Sequence, residues 1–188
     1  MASVKRLSCL KFILVIVSLI ILAGITFLYS GIYPMGADVP HNKLTYWTLE
    51  TLRENSIKRA SKDITVPSDL DTSSRLLRGG ADYNDMCVSC HLQPGKNYSD
   101  FTKGLYPAPP NLAKAHNKEH IDNENTQAQR RFWIIKHGIK ASGMPAWGPG
   151  HDDERIWGMV AFLKHLPTLT PEQYQILTPR GDGEGAHH

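Results

Sequence analysis

Residues 87–91 read Cys87-Val88-Ser89-Cys90-His91, and this stretch decides how the rest of the chain is read. Two thiols three residues apart lie about one turn from each other on a helix. An imidazole follows the second thiol directly. A thioredoxin-like redox pair wants a strand–helix–strand pattern around its C-x-x-C, and none surrounds these residues. A structural zinc site wants a second cysteine or histidine pair at finger-like spacing. His116 and His120 are four apart, but their Lys-, Asn- and Glu-rich stretch reads as solvated surface.

The full pattern C-x-x-C-H is the attachment signature of c-type haem. Cys87 and Cys90 are spaced to form thioether bonds to the two haem vinyl groups. His91 then supplies an imidazole nitrogen to the iron. One such pattern implies one haem c. A second axial ligand is sought downstream among His116, His120, His137, Met144, His151, Met159, His165, His187 and His188. Met144 stands in Gly143-Met144-Pro145-Ala146-Trp147-Gly148, where glycine and proline on both sides describe a tight loop. Such a loop brings a thioether up to an iron face. Met159 falls in a helical pattern and reads as core filler. His137 is the rival to Met144. It ends a helix just before Gly138, where a histidine also suits the helix dipole.

The surrounding composition narrows the function classes. The chain has 188 residues, 41% hydrophobic and 21% charged, as in ordinary folded proteins. Three cysteines are too few for a disulfide scaffold. The net charge of +3 comes from Lys5, Arg6 and Lys11, because no acidic residue precedes Asp38. Residues 38–188 balance, so the basic pI is no sign of a nucleic-acid partner and strong whole-molecule steering is not expected. The cluster Lys96, Lys103, Lys114 and Lys118 reads as a solvated face. No nucleophile–base pair, phosphate loop or paired catalytic carboxylates stand out, so an enzyme is not expected.

Residues 1–33 read as a signal-anchor. Phe12 to Leu28 carries no charge, and 17 helical residues cover roughly 25 Å; adding Tyr29 to Ile32 approaches the hydrocarbon thickness of about 30 Å. The run is long for a cleaved signal peptide, and Tyr29-Ser30-Gly31-Ile32-Tyr33-Pro34 is a poor cleavage site, which favours a retained single-pass membrane anchor. The flanking basic residues are expected on the cytoplasmic side and Tyr29 and Tyr33 at the far interface. Cys9 precedes the apolar core and reads as an inert thiol.

Residues 34–78 read as a linker and an amphipathic helical extension, with Leu44, Trp47, Thr51/Leu52 and Ile57 near helical spacing. That helix serves either as a spacer packed on the domain or as a docking surface for a membrane partner. Asp71 or Thr72 is a candidate cap for a short helix ending at Gly79-Gly80. The main domain spans 79–170. Residues 171–188 are expected to form a flexible tail, polar and glycine-rich from Thr178 onward.

From Gly79 to Pro167 the segment resembles a class I c-type cytochrome of the small mono-haem kind with an MPAWG loop. The resemblance rests on Gly79-Gly80-Ala81-Asp82-Tyr83 before the cysteine motif, on Pro109-Pro110-Asn111-Leu112, on Arg130 to Gly138, on the Met144 loop and on Asp152 to Leu163. It implies an all-α cytochrome c-like domain behind the N-terminal transmembrane helix. It implies Met144 rather than His137 as second ligand, so that His91 and Met144 hold the metal. It implies a backbone acceptor at Pro110 or Pro109 for the His91 Nδ1 proton, with Leu112 beside it. Gly80 is expected to let the first and last helices cross, with Tyr83 and Trp157 packing there. Trp133 and Trp147 are expected to wall the haem from water.

The implied function is single-electron transfer between redox partners by a haem domain on the outer, periplasmic face of the cytoplasmic membrane. The extension before residue 79 raises two alternatives to weigh with it. One is a haem subunit of a larger membrane oxidoreductase complex, and the other is a haem-based gas sensor.

Overall fold

The computed structural model describes residues 2–114 and 123–179, with side chains from residue 9 onward. His116, His120, His187, His188 and Lys118 lie outside the described residues. Among those described there are eight α-helices and no strand: α1 (Ala2–Tyr29), α2 (Lys43–Ser61), α3 (Ser73–Met86), α4 (Val88–His91), α5 (Asp100–Gly104), α6 (Glu124–His137), α7 (Asp153–His165) and α8 (Pro171–Leu177). A 3-10 turn, Leu166–Thr168, separates the last two.

The chain forms two compact units that meet in sequence between Val39 and Pro40. The first unit is α1 and the residues that follow it. Its segment Cys9–Tyr29 is a candidate membrane span by length and composition, and 21 helical residues reach about 32 Å.

The second unit is built on a close crossing of α3 and α7. A Cβ placed on Gly79 would lie 1.8 Å from the Gly158 carbonyl oxygen, so two glycines bring the helix backbones together. This corrects the expectation that a helix ends at Gly79-Gly80. The helix begins after Thr72, runs through both glycines and stops at Met86, because they are used for approach rather than termination. Thr72 flanks it without a side-chain cap bond.

The aromatic packing also differs from expectation. Tyr83 packs on Phe162 and Tyr174 at centroid distances of 5.4 and 6.3 Å, while Trp157 stacks on Phe132 at 4.2 Å. Tyr83 and Trp157 thus belong to two separate aromatic groups of one core, each joined to the run Ile156–Leu163, which is buried throughout and supplies Phe162 to one and Trp157 to the other.

Polar residues set the ends of these helices. Asp152 accepts from the Arg155 amide at 2.8 Å and caps α7, with Asp153 and Glu154 in its first turn favouring the dipole. Arg155 reaches back across the crossing to Asp82, donating to both carboxylate oxygens at 2.7 and 2.8 Å. Asp82 is 1% exposed, so the pair is dry on the acid side.

Residues 171–177, expected in the flexible tail, instead form α8. A Thr170–Gln173 capping box starts it, and burial of Tyr174 against Tyr83 and Phe162 holds it.

The extension is tied to the domain at its C-terminal half. Ile57 and Ser61 are buried, Glu54 pairs with Arg130 at 2.7 Å, and the Gln129 amide donates to the Ile64 carbonyl at 2.7 Å. Of the expected stripe, Ile57 alone is buried, while Leu44, Trp47, Thr51 and Leu52 are exposed. The packed face is polar, running Glu50–Arg53–Glu54–Ile57–Ser61, which apolar periodicity does not reveal.

Candidate functional site

The site grows from the end of α3. After Met86 the backbone turns at Cys87 and closes a short helix, α4, that carries the rest of the motif. The amides of Cys90 and His91 both donate to the Cys87 carbonyl, at 3.1 and 2.8 Å. Leu92, at φ +67°, ends the helix in a conformation uncommon for a side chain that size. Its carbonyl accepts the buried Tyr83 hydroxyl at 2.6 Å. The Tyr83 phenol is thus the strut that holds the exit of the motif against α3.

His91 is fixed by two bonds. Its ring Nδ1 lies 2.9 Å from the Pro110 carbonyl oxygen. A carbonyl only accepts, so Nδ1 carries the proton and Nε2 is the nitrogen with a free lone pair. Its own backbone carbonyl accepts from the Leu112 amide at 3.1 Å. The segment Pro110–Leu112 therefore positions both ends of the histidine. Asn111 stiffens that segment, donating to the Lys96 carbonyl and accepting from the Ala113 amide. Burial holds the His91 imidazole below its ordinary pKa, against the opposing pull of the Pro110 bond.

Cys87 and Cys90 are unpaired thiols. Burial, with the nearby Asp82 and Cys90, pushes the Cys87 thiol up to about 12. A redox-active C-x-x-C needs a thiol lowered toward or below neutrality, and Cys87 is shifted the other way. Two half-buried thiols and an oriented imidazole fit covalent attachment of a haem, with Nε2 of His91 as the nitrogen offered to iron.

Met144 hangs from the far end of α6. The last carbonyls of a helix have no partner within it. Here the amide of Gly138 donates to Ile134, that of Trp147 to Ile135 at 3.0 Å, and that of Gly148 to Lys136 at 2.9 Å. The loop thus doubles back and caps the helix that precedes it. Within it the Ile139 amide donates to the Met144 carbonyl at 3.1 Å, and the Met144 amide donates to the Ser142 hydroxyl at the same distance. Gly138, at φ +64°, leaves only 2.6 Å between a notional Cβ and the Pro145 carbonyl carbon, so the reversal demands glycine. Met144 itself is half-buried.

His137 lies elsewhere. It is exposed, tilts against Trp133 at 5.0 Å, and lines a cleft of about 360 Å³ with Ala60, Ile64, Phe132 and Trp157. No residue of the cysteine motif or the Met144 loop lines that cleft. Trp133, expected to wall the haem, lines this cleft too, beside Ala60 and Ile64 of the extension. Trp147 is half-buried against the core, and His151 meets it edge-on at 5.4 Å.

Sequence reasoning passed over the Asp82–Arg155 pair and the strut function of the Tyr83 hydroxyl. Both partners in each pair are set by tertiary contact, and no local spacing announces them.

Residues 74–163 match the family model described as "Cytochrome C oxidase, cbb3-type, subunit III", just under half of the chain. The match runs from the first turn of α3 to Leu163 on α7 and takes in the cysteine motif and the Met144 loop. It supports a c-type cytochrome domain with covalently bound haem c and haem-based electron transfer. No curated protein and no solved structure gives a match.

Proposed function

We propose that the chain is a membrane-anchored c-type cytochrome. It carries single electrons through one haem c held by Cys87, Cys90, His91 and Met144. The haem domain stands on the outer, periplasmic face of the cytoplasmic membrane, and α1 is the single-pass anchor. The observation that carries this reading is the Nδ1 bond of His91 to Pro110, which leaves Nε2 unprotonated in a motif whose two thiols form no disulfide.

Haem c, when bound, supplies a one-electron iron couple. The chain's own residues do the rest. The Pro110 carbonyl fixes the tautomer of His91 and raises its basicity as a ligand. Tyr83 and Leu112 hold the backbone on either side of that ring. The doubly capped loop presents the Met144 thioether, and a thioether ligand raises the potential relative to a second imidazole. With His91 and Met144 both committed as ligands, this favours electron carriage over gas sensing. Tyr83, Leu112, Pro110 and Trp147 shape the binding site without reacting.

A second observation refines the setting. The matched family is described as a subunit of an oxidase, which favours work beside membrane oxidoreductase subunits over free diffusion.

Attachment is tested by denaturing the purified chain, weighing it and titrating its thiols. The reading expects the mass of one haem in addition to the polypeptide, and a single free thiol, that of Cys9. Three free thiols and an extractable haem, or none, would overturn it.

A further inference from the structure

The haem site makes no use of the N-terminal half of α2. There Leu44, Leu49 and Leu52 are 71%, 50% and 66% exposed, and Trp47 is exposed beside them. At 100° per residue, Leu44, Thr45, Thr48, Leu49 and Leu52 share one broad side of the helix, and no charged residue of that half joins them. The two glutamates lie on the opposite side, where Arg53 engages Glu50 at 2.7 Å and Arg130 engages Glu54. The helix is basic at both ends, with Lys43 at the start and Lys58 and Arg59 in the last turn. By the same count Lys43 lies on the glutamate side, while Arg59 continues the leucine side. Leucine and threonine outward, acids turned away and a basic residue on the outward side suit a helix that lies in a membrane interface.

The chain itself names the surface within reach. Thirteen residues separate Tyr29, the last of the candidate span, from Lys43. Fully extended they cover at most about 45 Å, and as a flexible tether about 20 Å. His41 is already bound to the domain, its amide donating to the Tyr106 hydroxyl at 3.3 Å, which shortens the free tether further. Such a tether raises the effective concentration of α2 at the bilayer far above that of a protein partner arriving by diffusion.

We propose that this half of α2 docks on the lipid bilayer that α1 enters, with Leu44, Leu49 and Leu52 at the acyl boundary and with preference for anionic headgroups. The proposal rests on α1 being a retained anchor. Docking of α2 gives the domain a second attachment, which restricts its rotation over the membrane.

The test uses the full-length haem-loaded protein in phosphatidylcholine–phosphatidylglycerol vesicles, in a Cys9→Ser background. A fluorophore is placed on Val17→Cys, Leu49→Cys, Leu52→Cys or Lys140→Cys. Emission is compared with and without lipids carrying a quencher near the headgroup or midway along the acyl chain, the latter for position 17, so that fixed quenching by haem cancels. The proposal expects loss of emission at positions 17, 49 and 52 and none at 140. It expects the loss at 49 and 52 to weaken when phosphatidylglycerol is left out. Loss at 17 with none at 49 and 52 overturns the proposal and leaves the anchor standing. No loss at 17 removes the anchor reading itself. Self-quenching at 49 that grows with protein density, without lipid quenching, assigns the face to a second copy. Shielding of 49 from lipid only when native membrane proteins are present assigns it to a protein partner; either result contradicts lipid docking.

Discussion

Asp82 and Arg155 pair across the α3–α7 crossing through two bonds of 2.7 and 2.8 Å, with the carboxylate buried. The two residues are 73 positions apart, so the pair forms only when the first and last long helices of the domain have met. Removing Arg155 takes these two bonds from a buried carboxylate. Arg155→Ala is expected to destabilise the domain by about 3–5 kcal/mol, whereas replacing both with apolar residues of matched volume costs much less. Denaturant unfolding of the single and double variants measures the difference. A loss in Arg155→Ala of no more than about 1 kcal/mol would mean the pair is solvated and contributes little.

Gly79 admits no side chain. Its Cβ position lies 1.8 Å from the Gly158 carbonyl oxygen and 2.8 Å from the Met159 amide nitrogen. Gly79→Ala must push α3 off α7, and overpacking of this kind costs about 1–3 kcal/mol or more. Gly24→Ala, where nothing lies within 4 Å, is expected to leave the melting temperature of the haem domain unchanged. A Gly79→Ala protein as stable as wild type would contradict the crossing.

The Tyr83 hydroxyl is expected to matter to the haem site beyond the packing of its ring. Tyr83→Phe keeps the contacts with Phe162 and Tyr174 and loses only the bond to the Leu92 carbonyl. An acceptor left unpaired in the interior costs about 1–3 kcal/mol. The variant should therefore unfold at lower denaturant and show faster amide exchange in Leu92 and Leu112. Exchange unchanged at those two positions would remove the hydroxyl from the account.

His137 gives a negative expectation. It lines the cleft with Ile64 and Trp157, apart from the motif. His137→Ala is expected to keep both the spectrum and the potential of the haem. A potential shifted as strongly as that of a Met144 variant would make His137 the ligand.

The core of this account was legible in sequence because its chemistry is local. Cys87, Cys90 and His91 sit within five residues. Gly143 to Gly148 spells a loop, and the apolar stripe of α7 has helical spacing. What was not legible depends on contact at a distance. Gly79-Gly80 carries the same letters as a helix stop, and only the presence of Gly158 opposite makes it a crossing. That Trp133 lines a cleft with Ala60 and Ile64 is likewise a matter of which segment packs beside α6. On α2, apolar periodicity pointed to Leu44, Trp47 and Leu52, yet the packed face is held by Glu54, Ile57 and Ser61. That helix is paired by charge, so hydrophobic spacing misreported which side is buried. Tyr174 lay hidden in a segment whose polar end suggested a tail.

The central claim is that the iron of this domain is held by His91 and Met144. The most direct measurement is the absorption spectrum of the oxidised protein in the long-wavelength region where a thioether sulfur–iron bond gives a weak band, in wild type and in Met144→Ala. The account predicts the band in wild type, its loss in Met144→Ala, and a fall in reduction potential on that substitution. Absence of the band from the wild-type protein, or its survival in Met144→Ala, would contradict it.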